Sequence, residues 1–158
     1  MKKKLIALAL LVGLLVSVTG CFGGPQMPIN GDITFHNIKL NIPERFVRDS
    51  TQSTQEMWVY ECNNYKEYIL MTYSKSTKDV ETTLEEYIAY MKENKVDSQM
   101  VTFLGQDAVL SKYEMNGVFC QEICFPHQDA FYAVALRGGT EESFKELMDT
   151  IERVEDAK

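Results

Sequence analysis

Positive charge is in short supply in this chain. Its 158 residues carry 16 lysines and arginines against 23 aspartates and glutamates, a formal net charge of −7. Nucleic-acid binding needs a basic face that releases counterions from phosphates, and this balance argues against one. An acidic surface is also repelled by anionic lipid, which disfavours docking flat on a bilayer. Histidine is scarcer still. His36 and His127 are the only two, and neither falls at a metal-ligand spacing with cysteine or carboxylate. Both lie in stretches read as turns, where a solvated polar side chain is the default. A metal site joining His127 to Cys120 or Cys124 would have to form across a loop, and no metal or other cofactor is expected. There is no Walker loop and no G-x-G-x-x-G, so no phosphate cradle is signalled. No G-x-S-x-G or S-x-x-K raises a serine nucleophile above chance.

Cysteine is sparse and its arrangement is unhelpful to redox chemistry. Cys120 and Cys124 sit four residues apart on one expected strand. At about 3.3 Å per residue their Cα atoms would lie about 13 Å apart, beyond disulfide reach. Cys62 is left able to bridge to either. The simplest reading of all three is a set of buried free thiols acting as small hydrophobes.

What is present begins at the N-terminus, MKKKLIALALLVGLLVSVTGC. Lys2, Lys3 and Lys4 form a basic start, residues 5–16 an apolar run, and Val18-Thr19-Gly20 a small-residue exit. That is the pattern of a secretory signal, not of a spanning helix. The cysteine directly after Gly20 makes it resemble the bacterial lipoprotein signal. The resemblance implies removal of residues 1–20 and a diacylglyceryl group on the Cys21 sulfur. It places the protein on the extracytoplasmic face of the cell membrane, held by lipid. Two or three acyl chains anchor far more durably than one. Residues 21–30, rich in Gly and Pro, read as a flexible tether. Residues 31–158 have the length of one domain with a real core.

Along that domain the hydrophobic periodicity is explicit. Ile33 and Phe35, then Ile38, Leu40 and Ile42, alternate as strand residues on either side of a break at His36-Asn37. Residues 48–55 are polar and read as a loop. Residues 56–62 and 67–74 are rich in aromatic and β-branched residues and flank Asn63-Asn64-Tyr65-Lys66, which predicts a hairpin. Both strands are apolar on both faces, as in a sheet covered on both sides. Residues 83–95 predict a helix with Leu84, Tyr87, Ile88 and Met91 on one stripe, and Thr83 with Glu86 fits a capping box. Strands follow at 100–104, 108–115, 118–125 and 131–136. Asn116-Gly117 is a strong hairpin signal, because both residues tolerate positive φ. Thr140 is placed to cap a last helix running to about residue 154, with Phe144, Leu147, Met148 and Ile151 on its apolar stripe.

Short hairpin links impose antiparallel pairing, and two amphipathic helices must bury their stripes on the sheet. The fold class expected is α+β: an antiparallel sheet of about six strands flanked by helices. The opening ITFHNIKLNIPERF, the TTLEEYIAYMKENK helix, FLGQDAVLSKYEMNG and the final SFKELMDTIERV resemble the PsbP-like and DcrB-like lipoprotein families over most of residues 31–154. The resemblance implies six or seven antiparallel strands between helices in an α/β/α layering. It also implies a mostly non-enzymatic role, as an accessory subunit of a membrane complex or a binder of another protein. It transfers no site residues.

The functional expectation is a membrane-anchored, non-catalytic lipoprotein, not an enzyme, that binds a protein partner or assists a membrane complex. Two alternatives stand beside it. One is an extracytoplasmic module for a small molecule or a cell-wall fragment, which needs a concave pocket. The other is a cysteine-dependent envelope enzyme, which needs an accessible thiol of lowered pKa. The aromatic set Trp58, Tyr60, Tyr65, Tyr68 and Tyr73 reads mostly as core. Tyr65 in its turn and His127 in the turn after Phe125 are the two binding candidates.

Overall fold

The computed structural model describes residues 31–62, 66–75 and 80–154. Cys21, the tether and Tyr65 lie outside the described residues. Strand β1 (Gly31–Phe35) turns back at His36-Asn37 into β2 (Ile38–Ile42), in the register Gly31↔Ile42 to Phe35↔Ile38. Then come β3 (Phe46–Arg48), β4 (Met57–Cys62) and β5 (Tyr68–Lys75). Helix α1 (Val80–Glu93) leads to β6 (Asp97–Phe103), β7 (Gln106–Met115), β8 (Val118–His127) and β9 (Ala130–Arg137). Helix α2 (Glu141–Asp149) and a two-residue β10 (Glu152–Arg153) are the last elements of the described residues.

Seven of these strands form one antiparallel sheet in the order β3-β4-β5-β9-β8-β7-β6. Three form a smaller antiparallel sheet, β1-β2-β10. The α+β class therefore holds, with seven strands in the main sheet and a second sheet that the periodicity did not separate from it. Side chains alternate across the main sheet and feed two cores. On one face Tyr60, Ile69, Met71, Ile123, Phe125, Tyr132, Val134 and Leu136 pack with the small sheet and with Phe144, Leu147 and Met148 of α2. Phe35 interlocks the layers, its ring 5.1 Å from Trp58 and 6.4 Å from Tyr132. Each such fully buried aromatic contributes about 1.5–3 kcal/mol by leaving water. On the opposite face Leu84 of α1, with Tyr87 and Ile88, covers Val109, Cys124 and Phe131. The layers are thus small sheet with α2, main sheet, α1.

Local chemistry explains most boundaries. Asn116 and Gly117 take φ of 54° and 73°, so the β7–β8 link is the tight turn their residue types favour. Thr140 caps α2 by accepting from the Ser143 amide at 3.1 Å, and the Ser143 hydroxyl accepts from the Thr140 amide in return. Several boundaries differ from the sequence expectation, β6 among them, which begins at Asp97 and not at residue 100. Helix α1 begins at Val80, so Thr83 and Glu86 lie inside it and do not form its N-terminal cap. Helix α2 stops at Asp149, five residues early. There the Thr150 hydroxyl donates to the Leu147 carbonyl at 2.8 Å and accepts from the Asn41 amide at 3.1 Å. The backbone beyond pairs with β2 instead of continuing the helix. Phe46–Arg48 is a strand because its backbone pairs with β4 in the register Phe46↔Cys62 to Arg48↔Tyr60.

His127 is also not in a turn. It is the last residue of β8 and buried, and its Nε2 donates to the Val154 carbonyl at 3.4 Å. The turn is left to Gln128 and Asp129, with Gln128 at φ 56°. A strand that extends two residues past Phe125 carries the imidazole inward. His36 does occupy its expected turn. It is exposed, stacked 3.9 Å from Tyr73, and its Nε2 donates to the Gln55 carbonyl at 2.9 Å.

Candidate functional site

Strand β8 reads FCQEICF from Phe119 to Phe125, and every residue from Cys120 to His127 is buried. A strand this apolar belongs between two covered faces. Glu122 stands in the middle of it, on the α1 face with Cys120 and Cys124 two positions away on either side. Only 4% of its surface is exposed. The Tyr87 hydroxyl of α1 donates to its Oε1, and the Tyr113 hydroxyl of β7 lies 3.5 Å from its Oε2. Burial pushes the Glu122 carboxyl above its ordinary value of 4.5, and the two hydroxyls draw it back only in part. Both phenols are in turn pushed well up, first by burial and then by the neighbouring carboxylate. The three form a buried acid–phenol cluster under the helix.

The same face opens into a cleft next to this cluster. Val59 of β4, Tyr68 and Leu70 of β5, Tyr113 and Met115 of β7, Cys120 of β8, and Ala135 and Arg137 of β9 line it. The sheet register explains the grouping, because Arg137 faces Tyr68 on one side and Cys120 on the other. The cleft is apolar apart from the tyrosine hydroxyls and the guanidinium. Its space is about 30 Å³, room for roughly two waters. Tyr113 serves both places: it is a wall of the cleft and a neighbour of Glu122. Half-buried Arg137 lies 5.9 Å from the Tyr68 ring centroid.

Among the described residues the cysteines are Cys62, Cys120 and Cys124, free thiols and all buried. Cys62 points into the core beneath the small sheet, whereas Cys124 and the cleft residue Cys120 face the other way. The sheet itself therefore stands between Cys62 and either possible partner. Burial pushes the Cys120 thiol up to about 11; Arg137 draws it partly back and Glu122 adds to the rise. Cys124 is driven up further, by burial and then by Glu122. A nucleophilic cysteine needs the opposite environment, a cation or a helix N-terminus that favours thiolate. His127 shares the core face with Tyr132, its ring 6.2 Å away, and so is separated by the sheet from Cys120 and Cys124. No three His, Cys, Asp or Glu side chains gather as metal ligands among the described residues.

Of the aromatic set, Tyr60 is fully buried, and Trp58 and Tyr73 pack against the core. Arg48 lies 3.9 Å over the Trp58 ring. Tyr68 alone of the described members reaches the cleft. The residues missed from the sequence are Glu122, Tyr113 and Arg137. The legible signal was a carboxylate inside a strand otherwise apolar on both faces, since such a group is almost never buried without a reason.

The architecture is that of the PsbP-like class, an antiparallel sheet layered with helices. The solution structure of cyanobacterial PsbP (CyanoP) from Synechocystis sp. PCC 6803 superposes with a TM-score of 0.54 at 10% identity, covering 85% of this chain and 98% of that protein. A 1.50 Å crystal structure from Bacteroides thetaiotaomicron VPI-5482 gives a TM-score of 0.57 at 12% identity over 87% of this chain. This chain spans about half, 51%, of that protein. No protein-family model and no curated protein sequence matches. At these identities the likeness is one of fold.

Proposed function

We propose that the protein is a membrane-anchored, non-catalytic lipoprotein whose single domain binds a protein partner, as an accessory component of a membrane complex. The signal-like N-terminus ending in Cys21 supports the anchor. The likeness of fold to CyanoP accords with the PsbP-like resemblance of the sequence, which implies an accessory role. The observation that carries the binding reading is the cleft beside α1, where apolar strand residues and one guanidinium meet the surface. A mostly apolar recess of this size suits the tip of an anchoring side chain from another protein, not the bulk of a small molecule. Cys120 and Cys124, buried and of raised pKa, weigh against a thiol enzyme.

The test is mass spectrometry of the mature protein gently extracted from native membranes, together with whatever travels with it. A lipidated Cys21 and one stoichiometric companion are expected. An unmodified N-terminus would overturn the anchor, and recovery of the protein alone would overturn the partner.

A further inference from the structure

Arg137 is the last residue of β9, half-buried on the α1 face of the sheet. Its neighbours in the cleft are Tyr68, Tyr113 and apolar side chains. Ion pairs among the described residues include Lys39 with Asp32, Arg45 with Glu67, Lys75 with Asp129 and Lys112 with Glu141. None of these four pairs uses Arg137. This is a chain with 23 acidic side chains, and a partly desolvated guanidinium with five donors normally acquires a carboxylate. Glu122 is on the same strand as Cys120 yet spends its oxygens on Tyr87 and Tyr113.

Resting on the partner-binding reading above, we propose that this cleft captures the C-terminal residue of a partner chain: an apolar side chain with its free α-carboxylate. The guanidinium takes the carboxylate as a planar fork, the geometry in which arginine bonds a carboxylate most strongly. Val59, Leu70, Met115 and Ala135 receive the side chain. Spacing selects a single residue for both jobs. Ala135 and Arg137 are two apart on one strand, about 7 Å, so the apolar group and the anion must be joined by only a few bonds. Charge selects a chain end over a free amino acid, whose ammonium group would sit against Arg137. The space of about 30 Å³ admits only the tip of a larger molecule and leaves the rest outside.

The test uses the full chain solubilised from membranes. Fluorescence anisotropy is read with the fluorescein-labelled peptide Gly-Gly-Ser-Gly-Leu carrying a free C-terminus, and with the same peptide amidated. The acid should bind at least tenfold more tightly. Arg137→Gln should abolish that preference and leave the weak amide binding in place, and Arg137→Lys should restore part of it. Met115→Ala should weaken both peptides, and the melting temperature of each variant checks its fold. Equal binding of acid and amide, or no binding of either, overturns the proposal. Hexanoate displacing the peptide below the peptide's own Kd overturns the chain-end assignment in favour of a free carboxylate. If a stoichiometric companion is recovered from membranes while the peptides fail, this inference falls and the proposed function stands.

Discussion

Tyr87 of α1 donates its phenol proton to Glu122 of β8, joining a helix to the strand beneath it through a carboxyl that is only 4% exposed. Around that carboxyl stand Tyr113 of β7, Cys120 and Cys124 on its own strand, Ala135 opposite it on β9, and Arg137 at the cleft. No cation reaches it among the described residues. A buried acid with only hydroxyl donors is stabilised more as the neutral form than as the ion.

Stability should therefore fall as pH rises. The folded-state pKa of Glu122 lies above its ordinary 4.5, so the folded state holds the proton more tightly than the unfolded chain. Its contribution is complete below pH 4.5 and is lost as pH climbs through the raised value. Glu122→Gln should remove this slope, raising the melting temperature at pH 8 while changing it little at pH 4. Thermal melts of both proteins across that range decide the point; parallel curves would count against a proton held by Glu122.

Tyr87→Phe should cost about 1–3 kcal/mol, because the carboxyl keeps its burial and loses its nearer donor. Urea unfolding with an unchanged m-value is the measurement. In the Glu122→Gln background the same substitution should cost less, since a neutral amide is cheaper to leave unpaired. Equal costs in the two backgrounds would show that the two residues do not act as a pair.

Cys120 and Cys124 should resist thiol reagents in the folded protein. With its pKa near 11, Cys120 is about one part in a thousand thiolate at pH 8, before burial slows access further. Peptide mapping after iodoacetamide treatment should find both unlabelled until denaturant is added. Rapid labelling of the folded protein would revive the cysteine-enzyme alternative.

Two glycines with similar backbone angles should respond differently to alanine. Gly117 at φ 73° has open space where a Cβ would go, whereas a Cβ on Gly138 at φ 81° would lie 2.0 Å from the Lys66 carbonyl oxygen. Gly117→Ala should cost about 1–2 kcal/mol from the left-handed conformation alone. Gly138→Ala should cost distinctly more, because its amide also donates to the Phe119 carbonyl at 2.8 Å and resists a shift. Chemical denaturation of the two variants ranks them.

Residue types and spacings in the linear chain were enough for much that is local, though not for the start of α1, which lies three residues before the expected Thr83 cap. Asn116-Gly117 wrote its own hairpin, Thr140 its own cap, and the stripes of Leu84–Met91 and Phe144–Ile151 their buried sides, because each depends on neighbours within a few residues. The antiparallel α+β class followed from short links and two amphipathic helices. Tertiary structure decided what depends on residues far apart. Asn41 met Thr150 and ended α2 early, making β10 and the second sheet. Two further residues of β8 paired with β9 and turned His127 inward. Arg137, Tyr68 and Cys120, spread over 70 positions of sequence, became neighbours only because β5, β9 and β8 lie side by side. Strand order and register in a sheet are set by the whole hydrophobic surface each face must bury, and no short window of sequence contains that sum.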